Sequence, residues 1–235
     1  MSLDLSNTIL QIDQMSLDLK ASQNDRKRRL EGALDSAKSF DFAEYEFKRQ
    51  KSMTTLAWSV PGIRGRLVDR YVQPTVPDDY CVVAVDGSHI DVDRHTPARC
   101  FLINIGSSII AYGAQPDARL SSHPKLYAQN DEMVIRDKPP SHQMQAIEGA
   151  VLGAKRTVEE MRAMVKIVSE LKPDRSTLAL LDGSLLLLGM VGHGYSDFVL
   201  HELIKDGFVE ALEGLRQIAV QRPLAVASYI SLPRT

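Results

Sequence analysis

Two apolar runs end in the same tripeptide. Val82-Val83-Ala84-Val85 leads into Asp86-Gly87-Ser88, and Leu178-Ala179-Leu180-Leu181 leads into Asp182-Gly183-Ser184. A strand that finishes in Asp-Gly sets a carboxylate at the rim of a sheet, where glycine lets the backbone turn sharply and approach a metal or phosphate closely. One such pair reads as a turn. Two, far apart and each behind a buried-looking strand, read as a site. A third acid, Glu148, follows Ile147 and stands four residues after Met144, on the flank of an apolar stripe at helical spacing. Carboxylates converging from separate elements are oxygen ligands suited to magnesium or manganese. Two such ions roughly 4 Å apart can activate a water and stabilise a leaving oxygen, as phosphodiester hydrolysis requires. Asp86, Glu148 and Asp182 are therefore the candidate catalytic and metal-ligating residues, with a pair of Mn2+ or Mg2+ ions between them. Glu132 and Glu159 are alternatives to Glu148, each read first as a surface carboxylate. Ser88 and Ser184 lack the Gly-x-Ser-x-Gly elbow of a nucleophilic serine and are read as helpers of the neighbouring acids or as turn residues.

The elements that must hold these acids follow from the pattern around them. Tyr80 to Val85, Cys100 to Ile105 and Ser108 to Tyr112 are short apolar runs, the last two separated by the hairpin-type turn Gly106-Ser107. Three strands with short connections predict an antiparallel start to a sheet. Gln115 to Pro140 is polar and rich in turn formers, which predicts a peripheral excursion. Ser141 is a good N-cap, and Met144, Ile147, Val151, Ala154, Val158, Met161, Val165 and Val168 recur at helical spacing until Pro173. Ser176 to Leu181 then predicts a fourth strand, parallel to the first because a long helix precedes it. Asp206-Gly207-Phe208 to Ile218 predicts another helix and Pro223 to Ile230 a last strand.

Upstream, Leu5, Ile9, Ile12, Leu30, Leu34 and Ala37 predict one long helix or two shorter ones, carrying the basic run Arg26-Lys27-Arg28-Arg29. Such a run is most often a solvated helix face. Turn formers at Pro61 to Arg66 and Pro74 to Pro77 mark a linker, dividing the chain into a helical extension, 1–75, and a main domain, 76–235.

Composition excludes several classes. Of 235 residues 44% are hydrophobic and 25% charged, an ordinary globular balance, and the formal net charge of -2 gives no global basic field. Cys81 and Cys100 form neither a disulfide framework nor a zinc site and read as buried free thiols. No leader pattern opens the chain, and the longest aliphatic stretch, Leu185 to Leu188, is too short to span a bilayer. These features predict a cytoplasmic protein with no membrane association. His193, Tyr195, Asp197 and His201 make a small polar cluster after the second Asp-Gly-Ser, able to touch DNA or add a metal ligand.

Three strands, helix, strand, helix and strand, with acids on the first strand, the long helix and the fourth strand, resemble the layout of ribonuclease H-like nucleases. The fold class expected is thus α/β, a ribonuclease H-like mixed sheet with an N-terminal helical extension. The strings "VAVDGS" and "LLDGSL", the intervening "QAIEGAVLGA" and the terminal "ASYISLPR" are similar to the NurA-domain nucleases, over roughly Tyr80 to Thr235. The resemblance implies a homodimer, manganese-dependent cleavage of DNA with 5′-to-3′ exonuclease and single-strand endonuclease activity, and DNA end resection with a HerA-type hexameric ATPase. By motif matching it gives Asp86 and Asp182 the strand-borne metal positions and Glu148 the helix-borne acid, with Ser88, Tyr229 and Arg234 as DNA contacts. Family members usually continue past the last strand into a segment that supplies a further metal-site residue, whereas this sequence stops at Thr235. A short form that completes its site differently and a fragment are the two expectations. The rival readings are a catalytically impaired subunit that binds DNA or the ATPase, using the basic N-terminal segment, and an actin-like ATPase. The ATPase needs two lobes, for which the chain is short.

Overall fold

Hydrophobic side chains alternate along the first apolar run, so that Cys81, Val83, Val85 and Gly87 are buried while Asp86 and Ser88 are exposed. That alternation makes it a strand with one face on a core. The computed structural model describes residues 5–52, 62–91, 99–172, 174–187, 190 and 194–230, and the chain divides into two units, Met1–Pro74 and Thr75–Thr235.

The first unit contains helix α1, Leu5–Lys38, and helix α2, Phe42–Ser52. Asp25 accepts hydrogen bonds from Arg28 (2.6 Å) and Arg29 (2.5 Å) on the exposed surface of α1, and the two guanidinium groups hold its carboxyl below the usual range. Two members of the basic run are thereby paired within their own helix, as on a solvated face.

The second unit is built on a five-stranded sheet of order β3-β2-β1-β6-β7. Its strands are β1 (Tyr80–Ile90), β2 (Phe101–Tyr112), β3 (Asp117–Tyr127), β6 (Ser176–Asp182) and β7 (Leu224–Tyr229); β4 (Val134–Arg136) and β5 (Met144–Ala146) pair separately as a small ribbon. The first three strands are antiparallel, and β6 and β7 add in parallel on the other side of β1. Helix α3, Gly149–Glu170, crosses from the antiparallel part to β6 and buries Leu152, Met161, Met164 and Val168 against Val83, Phe101, Ile103 and Ala179. A second helical stretch starts with α4, Asp197–Leu200, passes through a π-helical segment, His201–Val209, and ends with α5, Glu210–Gln221. This mixed α/β sheet is the ribonuclease H-like class expected from the element order. No helix among the described residues is long and apolar enough to cross a membrane.

Three expectations are corrected. Gly106-Ser107 is not a turn but the middle of β2, and the third strand lies in the polar segment expected to be peripheral. β3 is an edge strand with only Tyr127 buried, so it carries no apolar period; its register is held by backbone pairing and by polar links such as Ser107–Ser121 (2.6 Å) and Ser122–Asn104 (2.8 Å). The long helix begins at Gly149, not after Ser141. Residues 143–147 bond instead to the opposite strand, with Asp137 N–H to Gln143 O at 2.8 Å and Ile147 N–H to Met133 O at 2.9 Å, which removes the backbone groups a helix would use. Finally, Gly207 lies inside a helix that starts ten residues earlier. Its buried apolar side chains Val199, Leu203, Phe208, Ala211 and Leu215 contain one gap of five, the step at which the wider π turn keeps one face inward.

Candidate active site

The parallel register of β1 and β6 ends at Val85 opposite Leu181, so the next residue on each of these neighbouring strands is Asp86 and Asp182. Both aspartates follow buried residues and are exposed, where the parallel pairing of the two strands runs out at its C-terminal side, the place at which open α/β sheets form ligand crevices. β6 stops there: Gly183 takes φ +104, a conformation that favours glycine, and its N–H bonds Tyr229 O at 2.9 Å. β1 does not stop but runs on to Ile90. The two Asp-Gly-Ser motifs therefore use glycine for different reasons.

Gly87 is needed for a close approach. A Cβ at this position would lie 2.5 Å from Glu160 Oε1, 3.0 Å from Glu160 Cγ and 2.9 Å from Arg156 Cγ, so the side chains of α3 occupy the space a larger residue would fill. Glu160 is 6% exposed, one of two buried polar or charged residues among those described. Its carboxyl is pushed up to about 7, chiefly by burial, with the charges of Asp86 and Asp182 acting in the same direction; Arg156 and the Gly87 N–H act against them. Arg156 Nε lies 3.1 Å from Glu160 Oε1. Asp86, Asp182, Glu160 and Arg156 line one hollow of 580 Å³ on the helix side of the sheet. A second hollow, of 570 Å³, includes Asp86, Asp182, Leu120 and Tyr229. Tyr229 faces Asp182 directly in the β6–β7 register.

Gly87→Ala is expected to lower folding stability by about 1–3 kcal/mol through overpacking, read from the denaturant midpoint. The same methyl group displaces Glu160 from its seat on β1.

The other acids lie elsewhere. Glu148 is the residue before the first turn of α3, with extended φ -149 and ψ 159. The N–H of the following Gly149 bonds Asp91 Oδ2 at 3.2 Å. Glu148 lines neither hollow. Twelve residues of helix separate it from Glu160, about 18 Å along the axis, too far for both to serve one ion pair. Glu159 pairs with Lys155 (3.6 Å) and Arg162 (3.3 Å), and Glu132 caps a turn by accepting the N–H groups of Ala128 and Gln129. Ser88 faces Asn104 across the β1–β2 pair and lines neither hollow. Arg234 and His193 lie outside the described residues. The His201 imidazole is 3.0 Å from Asp206, and its backbone N–H bonds Asp197 O within the helix. Cys81 is buried, which raises its thiol, and Cys100 is a free, partly buried thiol.

Glu160 had a signal of its own. It precedes buried Met161 and stands four residues before buried Met164, an inward-facing carboxylate on an apolar helix face.

Among the described residues no three Asp, Glu, His or Cys side chains are gathered closely enough to form a ready metal cage. The donor set nevertheless fits a hard divalent cation: three carboxylates share one hollow, and the charges of the two aspartates add to the burial that pushes the Glu160 carboxyl up to about 7. The family model described as the NurA domain matches residues 81–222. Comparison with curated proteins finds no match.

Proposed function

The chain belongs to the NurA-domain nuclease family, and from that premise we propose that it is a metal-dependent DNA nuclease whose working acids are Asp86, Asp182 and Glu160. The observation that carries the proposal is the juxtaposition of two aspartates on neighbouring parallel strands with a buried glutamate in the same hollow. In this reading Glu160, which lines the hollow with both aspartates, takes the helix-borne position in place of Glu148, which does not. Bound Mn2+ or Mg2+ would lower the pKa of a water and stabilise the leaving oxygen of the phosphodiester. Asp86 and Asp182 offer solvent-facing oxygens to such ions. Glu160, pressed against Gly87, supplies a rigid oxygen that becomes available once it loses its proton. In hydrolysis the water oxygen bonds to phosphorus, the bridging P–O bond breaks, and the departing oxygen leaves as a hydroxyl. Tyr229, beside Asp182, is suited to donate its O–H to a phosphate oxygen in the second hollow.

Family membership also supports finer features of this reading: preference for manganese, 5′-to-3′ exonuclease with single-strand endonuclease activity, a homodimer, and action in DNA end resection in the cytoplasm beside a HerA-type hexameric ATPase. End-labelled single- and double-stranded DNA incubated with the protein and Mn2+ tests the core of the proposal. Cleavage is expected with the ion and none in excess chelator; cleavage of equal rate in chelator would remove the metal, and no cleavage with Mn2+ or Mg2+ would remove the nuclease. Sedimentation with and without a HerA-type ring tests the assembly.

A further inference from the structure

The helix-side hollow contains three acids, and among the described residues lining it Arg156 is the one cation. Resting on the nuclease reading above, we propose that Arg156 grips a phosphate of the nucleic acid beside the reacting group and that Glu160 positions it for that contact.

The way Arg156 is held carries the argument. Two other arginines bind glutamates with both prongs, Arg49 to Glu46 at 2.8 and 2.6 Å and Arg216 to Glu213 at 2.7 and 2.7 Å, and Arg162 bonds Glu159 with one, at 3.3 Å. Arg156 approaches Glu160 through Nε, at 3.1 Å, with no hydrogen bond formed, and that buried Nε has no hydrogen-bond partner. The side chain retains a third of its exposure. Its stem lies against Gly87, as Glu160 does, so two α3 residues one turn apart are seated on the same backbone position of β1. A guanidinium so placed has its planar fork unused and aimed by a fixed stem, the arrangement suited to a phosphate rather than to a structural ion pair. It also answers a charge problem. A phosphodiester entering a hollow lined by three carboxylates is repelled, and a fixed cation among them gives it one favourable contact.

The test uses the full chain, a fluorescent single-stranded oligonucleotide, and Ca2+ in place of Mn2+ to slow hydrolysis, followed by steady-state cleavage in Mn2+. Arg156→Gln is expected to weaken binding about tenfold or more and to reduce the slope of log Kd against log salt by about 0.7, one phosphate contact on a single strand. KM should rise more than kcat falls. Arg156→Lys keeps the charge and should keep the salt slope while losing the fork, with KM raised a few-fold. Wild-type affinity, slope and KM in Arg156→Gln, with the wild-type chain cleaving DNA, would overturn the Arg156 inference and leave the nuclease reading intact. A wild-type chain that neither binds nor cleaves DNA would overturn both. Should Arg156→Gln fail to fold, Arg156→Lys decides alone, and an unchanged KM overturns the inference.

Discussion

Replacing Asp86 or Asp182 by Asn is expected to lower DNA cleavage about a hundredfold or more, equivalent to about 2.7 kcal/mol of lost transition-state stabilisation, with the fold intact. An amide keeps the shape of the carboxylate but not the charge that holds a divalent cation. Both side chains are exposed and each follows a buried residue of its strand, so nothing in the core depends on them. Each also raises the charge pressure on Glu160; removing one should leave the thermal midpoint unchanged or raise it. Initial rates on end-labelled DNA in Mn2+, beside circular dichroism melts, provide the check. Wild-type rates in either variant would remove that aspartate from the mechanism, and a collapse of the melt would make it structural.

Glu160→Gln is expected to abolish cleavage to a similar degree while stabilising the protein in a pH-dependent way. In the folded chain this carboxyl is pushed up from 4.5 to about 7. Between those values the folded state binds the proton that the unfolded state has released, so its contribution to stability is fully present below about pH 4.5 and lost as pH rises through about 7. Glutamine never ionises and escapes that loss. The variant's advantage over wild type should be near zero at pH 4.5, grow between 5 and 7, and level off above 7 at about 3 kcal/mol, following 1.36 kcal/mol per unit. Chemical denaturation in divalent-free buffer across that range reads it. An advantage that does not change with pH would mean that Glu160 is not the strained acid of this site. A buried charge that costs stability and lies beside two other acids is the mark of a functional group.

Asp86 and Asp182 were legible because their signal is local. Each terminates a run of alternating or continuous apolar residues, and a strand with a buried face determines from its own sequence which residues point inward and which do not. The parallel relation of β6 to β1 was equally accessible, since a long helix between two strands leaves a crossover as the short solution. The helix-borne acid was different. Several glutamates border the stripe of α3, and their apolar spacing is nearly the same at Met144 and Ile147 as further along. The choice between Glu148 and Glu160 depends on where the helix starts, and that depends on residues 143–147 bonding a strand ten residues upstream. It depends also on which turn of α3 crosses β1 at Gly87, a contact between positions more than seventy residues apart. β3 was hidden for a related reason: an exposed edge strand is held by its neighbour's backbone, and backbone groups are the same in every sequence. Two exposed aspartates behind apolar strand residues are thus written in the order of residues, whereas the burial of Glu160 and its pairing with Arg156 are chosen by packing, because burial and charge crowding are properties of what surrounds a side chain and not of its place in the chain.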